Sequence, residues 1–410
     1  MRAFIPGFAA LSLFCAMPAL ADTIKIAFID PLSGPFAPVG QNQFKTFQLA
    51  AEQANAGKWA GEHKFEVTGF DNKGSPQEAL TQLKAVIDQG YRFVAQGNGS
   101  AVGLALLDAI NKHNERNPGK EVILLNYAAI DPDMTNGKCS FWHFRFDAHS
   151  DMKMEALTTY IAKNKAIKNV YLIGQNYSFG QSVSRSTKEY LARKRPDIKV
   201  VGDDLHPIGQ VKDFSPYIAK IKASGADTVI TGNWGADLSL LVRAAKDADL
   251  KANFYTLYAV TSGVPTAMGA AGAERVKVLG NWLPNADNAA ASASVDAFKK
   301  KFNDDLYTAQ AHTALAMVGR AAKETRSLDP VKLAFAMEGM KVNSLNGEVS
   351  MNKVDHQLQQ PLYIATWTKI NGKDVKYDQE NTGYGWKIEQ KIDPWVAAQP
   401  TSCQMKRPAK

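Results

Sequence analysis

The sequence predicts an α/β fold built on parallel sheets, and three observations carry that prediction. From Asp22 onward, short β-type runs alternate with amphipathic helical stretches, the pattern of a parallel sheet with helices on both faces. The alternation starts afresh after Phe144-Arg145-Phe146, so two similar units succeed one another. No Pro/Ser/Gly-rich linker divides them, which predicts a chain that crosses between two lobes more than once.

Ile24–Ile29 reads as the first strand, Pro31–Gly40 as a loop, and Gln43–Asn55 as a helix with Phe44, Phe47, Ala51 and Ala54 on one face. The unit repeats with a strand at Phe65–Phe70, a helix at Pro76–Gln89 closed by Gly90, and a strand at Tyr91–Gln96. In the second unit, helices are predicted at Met152–Asn164, Gly180–Arg193, Phe214–Ala223 and Leu238–Asp247. Strands fall at Asn169–Ile173, Lys199–Gly202, Asp227–Thr231 and Asn253–Leu257. A long helical region from Ala291 to Arg326, then Pro330–Met337, precedes Gly347-Glu348-Val349 and a strand at Leu362–Trp367; these pieces fit as completions of the two units.

Residues 1–21 have the form of a secretory signal peptide: Arg2, an apolar stretch from Ala3 to Leu20 broken by Pro6 and Pro18, and the small-x-small pattern Ala19-Leu20-Ala21. Cys15 comes after Phe14, where lipid attachment requires a small residue, so a lipoprotein is not expected. The expected destination is the periplasm. The chain beyond the leader is long enough for two ordinary domains, so Cys139 and Cys403 are no disulfide framework, but in an oxidising compartment they are expected to form one bridge. The net charge of +8 is spread along the chain. Its densest stretch, Arg193-Lys194-Arg195, stops at Pro196 and reads as a solvated helix end, not a nucleic-acid patch.

In open parallel sheets ligands bind beyond the C-terminal strand ends. That rule nominates six loops: Leu32–Gly40, Gly97–Gly103, Tyr127–Asp131, Gln175–Gly180, Gly232–Asp237 and Tyr258–Ser262. Gly97-Asn98-Gly99-Ser100 combines glycines that let backbone N–H groups approach a ligand with a hydroxyl at a helix start, which suits a carboxylate; Ser100 as a simple helix cap is the alternative. Phe179, Trp234 and Tyr258 bring aromatic faces to the same rim. No catalytic motif is present: no G-x-S-x-G elbow, H-E-x-x-H or Walker loop. His63, His113, His143, His149, His206, His312 and His356 are scattered without metal-ligand spacing, and neither a metal nor a cofactor is expected.

Ile24-Lys25-Ile26-Ala27-Phe28 with Pro31-Leu32-Ser33-Gly34-Pro35, Asp71 with Ser75-Pro76 and Ala79, and Asp131-Pro132-Asp133-Met134-Thr135 occur in that order. Tyr177-Ser178-Phe179-Gly180, Asp213-Phe214 and Gly225-Ala226-Asp227 come after them. In this order the chain resembles the branched-chain amino-acid binding protein family, the type I periplasmic solute receptors of ABC transporters. The resemblance implies two doubly wound lobes joined by three crossovers, near Arg145, Gly280 and Met351. Lobe 1 is then 22–144 plus 281–351, lobe 2 is 145–280 plus 352–385, and 386–410 is a C-terminal tail. It also implies a monomer that closes on a small molecule and docks on membrane permease subunits, with no turnover.

By the same resemblance Ser100 takes the ligand carboxylate, beside Asn98 and the backbone of Ala128 to Ile130. Two positions depart from the amino-acid-binding pattern. A threonine that helps hold the α-ammonium is Ile130, and the acid that neutralises it is Tyr258. A buried ammonium without its counter-charge costs roughly several kcal/mol. The expected ligand is therefore an aromatic or short aliphatic carboxylate, its body enclosed by Tyr127, Phe179, Trp234 and Tyr258. The alternatives are a branched-chain amino-acid or amide receptor that neutralises its ligand through Asp131 or Asp237, a secreted α/β hydrolase, and the sensing domain of a signalling receptor.

Overall fold

The computed structural model describes residues 22–286 and 288–409; the leader read at 1–21, with Cys15, lies outside the described residues. The first sheet is built from β1 (Thr23–Asp30), β2 (Lys64–Asp71), β3 (Phe93–Gln96), β4 (Ile123–Asn126) and β5 (His143–Arg145), with α1 (Ala37–Ala56), α2 (Pro76–Asp88) and α3 (Ser100–Arg116) between them. Every neighbouring pair is parallel, in the order β2-β1-β3-β4-β5. The period of two along β1 explains why both faces are covered. Ile24, Ile26 and Phe28 pack into one core with Phe47, while Ala27 and Ile29 pack into another with Leu106.

The second sheet repeats the plan. Strands β6 (Asn169–Gln175), β7 (Lys199–His206), β8 (Thr228–Thr231), β9 (Asn253–Thr256) and β10 (Val276–Gly280) run parallel in the order β7-β6-β8-β9-β10. Their helices are α4 (Ser150–Ile161), α5 (Ser178–Lys194), α6 (Ser215–Ala223), α7 (Gly235–Asp247) and α8 (Val264–Met268). After β10 come α9 (Ala289–Phe302), α10 (Gln310–Thr325) and α11 (Pro330–Met337), then a small antiparallel sheet of β11 (Lys341–Ser344), β12 (Gly347–Met351) and β13 (Leu358–Gln359). Strand β14 (Leu362–Lys369) extends the second sheet antiparallel to β10, β15 (Tyr384–Ile392) pairs antiparallel with β14, and α12 (Pro394–Ala397) comes last. Among the described residues no helix is long and apolar enough to cross a membrane.

Several expectations change. The helical region from Ala291 to Arg326 is two helices, parted where Asn303 takes a left-handed φ of 49°. The third crossing falls not near Met351 but around residues 357–361, because β12 pairs with β13 on the first-lobe side before β14 enters the second sheet. Residues 386–392 are not tail: they complete β15, paired with β14 from Leu362↔Ile392 to Lys369↔Tyr384. Arg195 is not a solvated helix end either. Its side chain is 3% exposed, pairs with Asp197 at 2.7 Å and donates to the carbonyls of Asn164 and Ile167.

The crossings are tied by buried polar side chains. Arg145 Nε donates to Gln357 Oε1 (2.6 Å), Gln357 Nε2 to the Asp147 carbonyl (2.8 Å) and Gln360 Nε2 to the Phe146 carbonyl (2.9 Å). Asn346 Nδ2 reaches both the Asn281 carbonyl and Gln360 Oε1. Burial pushes Arg145 down to about 10, which leaves it charged at neutral pH. The C-terminal segment adds a further link: Gln399 accepts from Tyr190 of α5, Thr401 donates to the Thr135 carbonyl, and Cys403 is bridged to Cys139.

That bridge closes a sequence separation of 264 residues, and losing a native disulfide typically costs about 2–5 kcal/mol. Cys403→Ser is expected to lower the thermal midpoint by roughly 5 °C or more. An unchanged midpoint in differential scanning calorimetry contradicts a stabilising bridge.

Candidate functional site

Each sheet has one place where its strand order reverses, between β1 and β3 in the first and between β6 and β8 in the second. Loops diverge there and leave a crevice at the C-terminal strand ends. The two crevices face each other across one cavity of about 340 Å³, mouth included. The first lobe lines it with Val39 and Gln43 of α1, with Gly97 to Ser100 after β3, and with Ala128 and Ile130 after β4. From the second lobe come Tyr177 and Phe179 at the start of α5, Trp234 before α7, and Tyr258 and Thr261 after β9.

Seven of the residues singled out from sequence therefore meet here: Asn98, Ser100, Ala128, Ile130, Phe179, Trp234 and Tyr258. Tyr127 does not line the cavity. Fully buried, it lies beneath the loop after β3, its ring so near that a Cβ on Gly97 would stand 2.5 Å from it. Val39, Tyr177 and Thr261 line the cavity from within the nominated loops, although none of them is expected from sequence to bind the ligand; Gln43 lies outside those loops, in α1, which begins at Ala37, six residues before the predicted start.

Ser100 is not a helix cap. Gly99, with φ 87°, holds the N-cap position of α3 without a side-chain cap, and Ser100 is the first helical residue. Its Oγ accepts the Asp131 N–H at 3.2 Å, so its own proton is free to be donated. The first-turn N–H groups of α3 have no acceptor within the helix, and Gly99 and Ser100 at this helix start line the cavity. Arg145 holds the neighbouring loop by donating to the Asp131 carbonyl at 2.5 Å and to the Thr135 hydroxyl.

Beneath the loop sits Asp30, the last residue of β1 and fully buried. Its carboxyl accepts the N–H groups of Gly97 and Asn98, both at 2.9 Å, and contacts the Tyr127 hydroxyl at 2.5 Å. Burial outweighs these bonds and pushes the acid up to about 7. Tyr127 is pushed well above its ordinary value by burial and the adjacent Asp30.

The second lobe supplies a mostly apolar wall. Trp234 Nε1 donates to the Tyr177 hydroxyl at 3.0 Å, and Phe179 meets Tyr258 edge-on at 6.0 Å. Phe36 of the first lobe packs on Trp234 with ring centroids 4.2 Å apart, an inter-lobe contact in the closed arrangement. Behind Tyr258 lies a buried ion pair, Asp147 with Lys153 at 3.0 Å, and the Lys153 ammonium stands 4.9 Å from the Tyr258 ring centroid. Asp131 caps the following turn through Asp133 N–H, and Asp237 accepts from Gln175 and Gly209; neither lines the cavity. Among the described residues no cluster of His, Cys, Asp and Glu could hold a metal ion.

The family of periplasmic binding proteins matches residues 23–374. A Leu/Ile/Val-binding protein homolog 4 from Brucella melitensis is 34% identical over 98% of this chain and 97% of its own. The chain belongs to the branched-chain amino-acid binding family of periplasmic binding proteins. It is a binding protein, not an enzyme, as its relatives are. The leucine-, isoleucine-, valine-, threonine- and alanine-binding protein of Brucella ovis, solved in a closed conformation, superposes with a TM-score of 0.82 at 30% identity, covering 95% of this chain and 100% of that one. A solute-binding protein of R. palustris solved with benzoate shares the fold at a TM-score of 0.78 and 19% identity, covering 93% of this chain and 99% of its own.

The raised acid of this binding protein makes stability depend on pH. The folded chain keeps on Asp30 a proton that the unfolded chain releases above its ordinary 3.8. Stability therefore falls as pH rises from roughly 4 to 7, by an amount on the order of 4 kcal/mol, and the loss is complete above that range. Thermal melts of wild type and Asp30→Asn between pH 5 and 8 are expected to diverge in slope, with the wild type losing more stability toward pH 8. Parallel profiles contradict this reading of Asp30.

Proposed function

We propose that this protein captures a small carboxylic acid, aromatic or short aliphatic, in the periplasm and delivers it to the membrane permease subunits of an ABC transporter. The observation that carries the reading is the charge of the cavity: none of its 13 lining residues is Asp, Glu, Lys or Arg. An α-amino acid would bring an ammonium to a wall that offers it Ile130 and Tyr258 and no carboxylate. A carboxylate meets Ser100 Oγ–H and the open N–H groups at the start of α3, donors that an anion strengthens. The rest of the acid lies against Phe179, Trp234 and Tyr258. Closure is then a population shift, because only the closed form contacts the ligand from both lobes at once. The protein works as a monomer, exported by the leader at 1–21.

A branched-chain amino acid is the second reading, favoured by the names of the Brucella relatives at 34% and 30% identity. A thermal-shift screen separates the two, since a ligand bound only by the folded state raises the midpoint. Benzoate, phenylacetate or a short aliphatic acid is expected to raise it and leucine to leave it unchanged; the reverse pattern contradicts the proposal. Ser100→Ala is expected to weaken the acid about tenfold or more, the worth of a hydrogen bond to a charged group, at unchanged melting temperature. Unchanged affinity removes Ser100 from the site.

A further inference from the structure

Two amide side chains at the floor of the cavity are left half used. Asn98 Nδ2 donates to Gln43 Oε1 at 2.6 Å and to the Tyr127 hydroxyl oxygen at 3.1 Å. Gln43 Oε1 also contacts the Tyr127 hydroxyl at 3.0 Å. These contacts consume one end of each amide. The other ends, Gln43 Nε2 and Asn98 Oδ1, have no hydrogen-bond partner among the described residues, although Gln43 is only 5% exposed and Asn98 only 6%. Both side chains line the cavity. Neither atom is sealed from the cavity, so an occupant that displaces solvent there has to supply what these two lack, since a buried polar group is expected to be satisfied.

One open donor beside one open acceptor is the complement of a hydroxyl, which accepts through its lone pairs and donates its proton. If both amides were turned over, Gln43 would present the acceptor and Asn98 the donor, and the complement would be the same. We infer that Gln43 and Asn98 form a hydroxyl-reading pair that selects a hydroxylated carboxylic acid over its unsubstituted parent. This rests on the carboxylate reading of the site and specifies the ligand further. The pair is held rigidly enough to discriminate, because Asn98 is fixed through its own N–H to Asp30 and Tyr127 is fixed to the same carboxyl. A site built to hydrogen-bond a substrate hydroxyl rejects the analogue without it, because its polar groups are then buried unpaired.

The test is calorimetric titration of the full mature chain with acids that differ by one hydroxyl: benzoate against 3- and 4-hydroxybenzoate, and 3-methylbutyrate against its 2-hydroxy derivative. Wild type is expected to prefer at least one hydroxylated acid over its parent by about tenfold or more. Gln43→Met is expected to bring that ratio close to one, whatever it does to the affinity for the parent acid. Should Gln43→Met fold poorly in a circular-dichroism melt, Gln43→Glu keeps the acceptor for Asn98 and removes the donor, and the same collapse of the ratio is expected. Ser100→Ala is expected to weaken both members of a pair alike and leave the ratio intact. A wild type that binds each parent as tightly as its hydroxylated forms, or a ratio that survives in the Gln43 variants, overturns the inference. A preserved hydroxyl preference with no effect of Ser100→Ala supports the pair and instead removes the carboxylate grip on which the proposed function stands.

Discussion

The reversal of strand order in each sheet is the constraint on which the rest of this molecule depends. A parallel sheet whose helices lie on both faces has one point where consecutive connections depart in opposite directions, and a crevice opens there. Here the point falls between β1 and β3 in one lobe and between β6 and β8 in the other. Each crevice alone is shallow. Set face to face they make one cavity, floored by a polar loop from the first lobe and walled by aromatic rings from the second. The division of labour comes from local chemistry. The loop after β3 needs Gly97 because Tyr127 leaves no room for a side chain, and it needs Gly99 because the chain turns into α3 at a positive φ.

Closure requires the lobes to move while the cavity floor keeps its shape. The three crossings are short and are tied by buried Gln and Asn side chains that donate to their backbone carbonyls, a seam about which the lobes can rotate. Arg145 connects that seam to the site, since one guanidinium bonds both Gln357 in the third crossing and the carbonyl of Asp131, whose N–H in turn reaches Ser100. The C-terminal segment runs from Tyr190 of the second lobe to Cys139 of the first and is a further tether across the same gap.

Much of this is legible in the sequence, for reasons that also explain where the sequence misleads. Buried parallel strands such as β3 and β4 are short and continuously apolar, and the strand-end rule then nominates loops that contain every cavity residue except Gln43. Gln43 escapes because α1 starts without a side-chain cap, and Pro38 in its first turn reads equally well as part of the preceding loop. Strand β15 escapes because it is the edge of its sheet; Lys387, Glu389 and Lys391 face outward and break the apolar pattern. The third crossing is displaced from its expected place because Gln357, Gln359 and Gln360 look like surface loop, whereas two of them are buried and bonded across the hinge. Tyr127 reads as a cavity wall because its aromatic ring gives no hint of a buried carboxyl partner 97 residues earlier.

The substrate reading reduces to charge. A cavity without an acid favours a ligand without an ammonium, and the buried Lys153 behind Tyr258 is neutralised by Asp147. The most direct measurement is calorimetric titration of leucine into wild type and Tyr258→Glu. No heat of binding in wild type and measurable binding in the variant is the predicted result, because the new carboxylate supplies the missing counter-charge. Tight leucine binding by wild type, weakened or unchanged in the variant, would contradict it.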